Sequence, residues 1–245
     1  MPVFSCPFST ATLEVQSGVE MKALVLICPG GAYSWLSPRE MWPVGKAFLK
    51  KGYGAAILSY SVGEGLGTLP LREAGWAVKT LKDAFWGLPV VIVGFSAGGH
   101  LAASLAVHAH RLELAPADAA ILCYPVISSG RYAHAQSIAN LGEGPNQQFF
   151  SLERWVDEHT PPVFLWHTAQ DEAVPVQNSI LFANALIDEK RVCALHIYPF
   201  GVHGLSLATE EVEEPAKGRF ADKQVATWFD LCIDWLASLH LGGQK

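Results

Sequence analysis

Val90-Val91-Ile92-Val93-Gly94-Phe95-Ser96-Ala97-Gly98-Gly99-His100-Leu101-Ala102 carries four β-branched residues through a Gly-x-Ser-x-Gly turn into an Ala- and Leu-rich run. The β-branched residues predict a fully buried strand, and residues 97–107 predict a helix. Joining the two at Ser96 demands a very sharp turn, which carries the serine in a strained backbone conformation with its hydroxyl clear of the strand's carboxyl end. Glycine at 94 and 98 leaves space where a Cβ would collide as strand and helix close on each other. The five-residue pattern arises often by chance. The strand before it and the helix after it make Ser96 a candidate nucleophile.

Outward from this point the chain keeps the same rhythm. Residues 22–28 are apolar on both faces, as expected of a strand inside a covered parallel sheet, and residues 12–16 alternate weakly, as an edge strand would. Pro29-Gly30-Gly31-Ala32-Tyr33 follows, a loop whose glycines let backbone N–H groups turn toward a bound group. Ser37-Pro38-Arg39-Glu40 reads as N-cap, first-turn proline and capping-box glutamate of a helix ending near Lys51. Strands are predicted over 53–60, 119–124, 163–166 and 193–198, and helices over 70–85, 176–190 and 221–240. In the closing helix, Val225, Trp228, Phe229, Cys232, Leu236 and Leu239 share a face. The result is an α/β fold with a mainly parallel central sheet flanked by helices on both faces, in a single domain over 1–245. Residues 127–160 break the rhythm and read as a lid or substrate-binding insertion, with Phe149, Phe150 and Trp155 as exposed aromatics.

Composition narrows the function. The 245 residues are half hydrophobic and 16% charged, with a net charge of −6. No Lys or Arg cluster offers a polyanion a hold, which argues against nucleic acid. No apolar run approaches the ~20 residues needed to cross a bilayer, and residues 1–7 lack a signal-like pattern. Five widely spaced cysteines suit buried free thiols in a reducing compartment. These features predict a soluble cytoplasmic protein without metal or disulfide framework.

A serine hydroxyl needs a histidine to take its proton and a carboxylate to orient that histidine. With the nucleophile on such a turn, the expected order is Ser, then Asp or Glu, then His. His203, in Phe200-Gly201-Val202-His203-Gly204, lies in a loop just past the last strand, where the base should stand. His196 lies inside that strand, His240 near the terminus, and His100 is carried away by the helix into a packing or hydrogen-bonding part. Asp171 follows the strand that ends near His167, so its loop opens on the same rim as Ser96. Glu172 is the near competitor and Asp157 the distant one. For the oxyanion, Ala97 N–H at the helix start and a second donor from Gly31 or Ala32 are the candidates.

Taken together, Pro29-Gly30-Gly31-Ala32, Gly94-Phe95-Ser96-Ala97-Gly98, Asp171 in its Asp-x-x-Val-Pro setting and His203-Gly204 resemble the α/β-hydrolase superfamily over nearly the whole chain. Ser37-Pro38-Arg39-Glu40, Gly98-Gly99-His100-Leu101-Ala102 and residues 160–167 look more narrowly like its acetyl esterase and acetyl-xylan-esterase-like branch. That resemblance implies a serine esterase working without a cofactor on small-molecule esters, removing acetyl or feruloyl groups from sugars. Many esterases of this group carry His-Gly-Gly-Gly where this chain has Pro29-Gly30-Gly31-Ala32, so a histidine that braces the loop is missing. A serine nucleophile, in place of cysteine, argues against dienelactone hydrolase chemistry. Tyr33, Trp35 and Trp166, with the insertion aromatics, are candidates for a sugar platform. Two rivals are a prolyl-oligopeptidase-type peptidase, which usually adds a gating domain for which 245 residues leave no room, and a non-catalytic binding protein on the same scaffold.

Overall fold

The computed structural model describes residues 2–18, 20–142 and 147–241. Its centre is an eight-stranded sheet with strand order β1-β2-β4-β3-β5-β6-β7-β8. The strands are β1 (Val3–Ser5), β2 (Thr12–Gln16), β3 (Leu24–Cys28), β4 (Gly54–Ser59), β5 (Val90–Phe95), β6 (Ala119–Cys123), β7 (Val163–Thr168) and β8 (Cys193–Tyr198). From β4 to β8 every neighbouring pair is parallel, while β1 pairs antiparallel with β2 and β2 antiparallel with β4.

Strands apolar at every position are buried on both faces, and the pleat divides their side chains between two cores. In β3, Leu24, Leu26 and Cys28 face one core and Val25 and Ile27 the other; β5 splits Val90 and Ile92 from Val91, Val93 and Phe95. Helices α2 (Leu69–Ala84), α3 (Ala97–His108) and α5 (Gln177–Asp188) cover the first face, and α1 (Trp42–Lys50) and α6 (Thr227–Ser238) the second. In and just before α6, Val225, Trp228, Phe229, Cys232 and Leu236 are buried, the stripe expected from their spacing. Each such buried side chain contributes about 1.5–3 kcal/mol through area removed from water.

Two local readings need correction. Residues 12–16 are not at the edge, because the short strand β1 pairs outside them. With three residues and both ends exposed, β1 has no hydrophobic pattern to read. Ser37 makes no side-chain cap; Pro38–Glu40 form a separate 3₁₀ turn and α1 starts only at Trp42. Glu40 turns inward instead of reaching back along a helix.

The 127–160 segment carries α4 (Ala135–Leu141) and lies tied to the body. Asn178 Oδ1 accepts the N–H groups of Ile127 and Ser128, and Asn140 Nδ2 donates to Ala32 O and Ser34 Oγ. All five cysteines are free, four of them buried. No helix among the described residues is long and apolar enough to cross a membrane, and no group of three or more His, Cys, Asp or Glu is arranged to hold a metal ion.

Candidate active site

Strand β5 delivers Ser96 into a backbone conformation of φ 54° and ψ −117°, a sparsely populated region for a residue with a side chain. The surroundings enforce it. Ser96 N–H donates to Cys123 O at 3.0 Å on β6, and Ser96 O accepts from His100 N–H and Val126 N–H. A Cβ at Gly94 would stand 2.1 Å from Gly98 O, and one at Gly98 2.1 Å from Cys28 O, so both positions of the turn require glycine.

Ser96 Oγ lies 2.8 Å from His203 Nε2, and His203 Nδ1 lies 2.6 Å from Asp171 Oδ2. Because a carboxylate can only accept, Nδ1 carries the proton and Nε2 is left to accept from the serine hydroxyl. Asp171 Oδ1 accepts the N–H groups of Ala173 and Val174, which locks the carboxylate into its own loop. A second imidazole reaches the same oxygen: His167 Nε2 is 3.2 Å from Oδ2, and its Nδ1 bonds Ser179 Oγ at 2.8 Å. Burial opposes ionisation of Asp171, but hydrogen bonds from His167 and His203 outweigh it and hold the carboxyl well below the usual carboxylate range. Of the competing carboxylates, Asp157 pairs with Arg111 at 2.6 Å, and Glu172 stands exposed on the groove beside His203.

The glycine loop comes to the same place. Gly31, Ala32, Trp35, Ser96, His134 and His203 line one cavity of about 280 Å³. Gly31 has φ +134° and a Cβ there would meet Trp35 O at 2.0 Å, so only glycine fits; Ala32 follows at φ 56°. Ala97 is the first residue of α3, where N–H groups have no intrahelical partner. A wider groove of about 760 Å³, lined also by Gln170, Glu172 and Val202, adjoins this cavity and shares His203, Lys217 and Arg219 with it.

Glu40 braces the glycine loop from beneath. Its Oε2 accepts Gly30 N–H at 2.8 Å, its Oε1 accepts the Tyr124 hydroxyl at 2.6 Å, and Tyr60 OH donates to Pro29 O at 2.5 Å. A Cβ on Gly30 would sit 3.0 Å from Ser96 Cβ, so the loop and the serine are in direct packing contact. Replacing Glu40 with alanine strands a buried N–H and a buried hydroxyl, at about 1–3 kcal/mol each. We expect Glu40→Ala to lose stability in urea denaturation and about 10-fold or more in kcat through the displaced loop, with Glu40→Gln intermediate. Wild-type kcat in Glu40→Ala would show that the carboxylate does not hold the loop.

Several predicted contacts fall away. Tyr33 is 1% exposed: its hydroxyl donates to His100 Nδ1 at 2.9 Å, beneath the loop and not in the cleft. Trp166 is fully buried in the second core, stacked on Trp228 at 5.3 Å, because its strand position points away from the rim. Phe149, Phe150 and Trp155 pack against His108 and His100 and so form no platform at the mouth. Trp35 alone of the proposed aromatics is open, 45% exposed on the cavity wall with Lys217 Nζ 5.3 Å over its ring. His134, Lys217 and Arg219 carry no signal in the sequence, Glu40 reads there only as a capping-box residue, and His167 only as the end of a strand. Only His167, four residues before Asp171, carried a positional hint.

His100 has the packing part expected of it, with Nε2 donating to Phe150 O at 3.1 Å. Burial pushes this imidazole down to about 4 from 6.5. Between those values the unfolded chain binds a proton that the folded one does not, so stability is full above 6.5 and falls as the pH drops toward 4. Denaturation midpoints across that window check this, and a flat profile would contradict a neutral buried His100.

Sheet order, strained serine and the Ser96–His203–Asp171 chain of contacts together define an α/β hydrolase. A model of the prolyl oligopeptidase family, Peptidase_S9, matches residues 77–230, more than half the chain, and the chain belongs to that family. Among curated relatives, an endo-1,4-beta-xylanase B of Butyrivibrio fibrisolvens is 36% identical over 230 residues, covering 80% of this chain and 36% of that one. An acetylxylan esterase of Xylanibacter ruminicola is 33% identical over 196 residues, covering 74% of this chain and 40% of that one. The chain thus spans well under half the length of these two relatives. Among solved structures, an acetyl ester-xyloside bifunctional hydrolase from Caldicellulosiruptor lactoaceticus superposes with TM-score 0.82 at 32% identity, over 96% of this chain and 89% of that one. The carboxylesterase Cest-2923 from Lactobacillus plantarum gives TM-score 0.84 at 26% identity over the whole of both chains.

Proposed function

We propose that this chain is a serine carboxylesterase that removes short acyl groups, acetyl first among them, from sugars such as xylo-oligosaccharides. The observation that carries the reading is the unbroken line Ser96 Oγ, His203 Nε2, His203 Nδ1, Asp171 Oδ2, at 2.8 and 2.6 Å, opening on a small cavity beside the glycine loop. In this reading Ser96 attacks the ester carbonyl as His203 takes its proton, and the tetrahedral oxyanion is met by Ala97 N–H and by Gly31 or Ala32 N–H. His203 then passes its proton to the departing alkoxide oxygen. In the second half His203 activates water, which cleaves the acyl-enzyme and returns Ser96.

The size of the cavity favours a small acyl group, while the adjoining wider groove suits a larger alcohol, with Trp35 as an aromatic face for a sugar ring. The xylan-related names of the relatives support the same substrate class. The test compares acetylated xylo-oligosaccharides with alkyl acetates, and with p-nitrophenyl esters of increasing chain length. Higher kcat/KM on the sugar acetates and a steep fall beyond short acyl chains are expected; equal rates on sugar and alkyl acetates would remove the carbohydrate assignment. The family match favours one second reading, a peptidase using the same residues. Turnover of proline-containing peptide anilides, in preference to acetates, would establish it.

A further inference from the structure

The insertion places one polar side chain in the cavity that holds Ser96 and His203: His134, at the N-cap of α4. Its ring is held by its own helix. Nδ1 accepts Ser137 N–H at 3.3 Å and lies 2.9 Å from Ser137 Oγ. An imidazole nitrogen that accepts from a backbone N–H has no proton, so in the neutral ring the proton sits on Nε2. Burial, with the neighbouring His203, lowers its pKa and keeps the ring neutral. Among the described residues, Nε2 has no protein acceptor within hydrogen-bonding distance. The cavity wall therefore carries a fixed, neutral N–H donor that no protein acceptor among the described residues takes up.

The acceptor it serves follows from elimination. An acetyl ester has two oxygens, and the proposed chemistry uses both: the carbonyl oxygen turns to the backbone N–H groups, and the ester oxygen turns to His203. A methyl group offers nothing more. An acceptor for His134 is then to be found on the alcohol, close to the ester because His134, Ser96 and His203 line one small cavity.

We propose that His134 is a specificity-determining residue that donates from Nε2 to the hydroxyl vicinal to the scissile ester, and so selects polyol esters, sugars above all, over simple alkyl esters. This rests on the esterase reading above. A donor that bound substrate closes off from water discriminates chiefly against substrates that leave it unpaired. The bond forms on substrate binding and persists through attack, so its loss acts on kcat/KM.

The test uses two substrates, an acetylated xyloside with a free hydroxyl beside the ester and the deoxy analogue lacking that hydroxyl. Unaltered enzyme is expected to favour the hydroxyl-bearing ester by about 10-fold in kcat/KM, as one neutral hydrogen bond supplies. His134→Asn, which still caps α4 but is too short to reach the substrate, is expected to erase that preference. If this variant fails to fold, Ser137→Ala keeps the donor but loosens its ring and is expected to reduce the preference part way. A preference that survives in His134→Asn, or that Ser137→Ala leaves untouched, overturns the assignment of His134 alone. Failure of the unaltered enzyme to hydrolyse either sugar ester while it cleaves alkyl acetates overturns the sugar reading and this inference with it.

Discussion

Ser96→Ala is expected to lower kcat on p-nitrophenyl acetate by about 10⁶-fold, with the fold intact. The size follows from what the hydroxyl does. Without Oγ no acyl-enzyme forms, His203 is left a base with no proton to take, and only the donor-lined cavity remains to favour attack by water. Residues that act as a unit lose most of their joint effect when one is removed, so His203→Ala in the same background should add little. Alanine removes only the hydroxyl of a residue that is 8% exposed and whose backbone is already held at φ 54°, so stability should change by less than about 1 kcal/mol. A steady-state assay with active-site titration and a melting curve checks both parts. Near wild-type turnover would remove Ser96 from the chemistry.

Asp171→Asn is expected to cost about 10⁴-fold in kcat. The carboxylate oxygen Oδ2 accepts from His203 Nδ1 at 2.6 Å and stands 3.2 Å from His167 Nε2. An amide in its place presents either N–H groups or a neutral oxygen. With N–H groups toward His203, the ring is driven to the opposite tautomer, and Nε2 then carries a proton it must lose before it can accept from Ser96. With the oxygen toward His203, the imidazolium formed during attack has no counter-charge. Because the carboxyl is held well below its usual range in the fold, its ionised form also contributes stability. That contribution is present above about pH 4, the unfolded value, and is lost as the pH falls through the lower folded one. The variant should therefore show a shallower loss of stability in acid than the unaltered chain. Unchanged kcat with an altered acid profile would make Asp171 a structural residue alone.

How much of this was legible before folding depended on whether the signal was local. The serine turn was legible because strand, glycine, serine and helix are adjacent, and Gly94 is demanded by a contact four residues on, with Gly98, although the contact that demands Gly98 is with Cys28, 70 residues earlier. His203 and Asp171 were legible by position, each in a loop following a strand of the parallel run. Glu40 was not, because its partners Gly30 and Tyr124 lie 10 and 84 residues away and the motif around it reads equally well as a helix cap. Trp166 was misplaced for a related reason. In a strand apolar throughout, alternation does not mark the face, and only the packed sheet shows that residue 166 faces Trp228 and not the rim. His134 sits in a segment without periodicity, and its value comes from where Asn140 and Asn178 pin that segment against the glycine loop and α5.

The most direct test of Ser96 as the nucleophile is covalent capture by a fluorophosphonate, followed by peptide mapping. One adduct per chain on the peptide containing Ser96, loss of esterase activity in proportion to labelling, and protection by acetylated xylo-oligosaccharide are expected. Full esterase activity in the labelled protein, or an activity-linked adduct on any other residue, would contradict it.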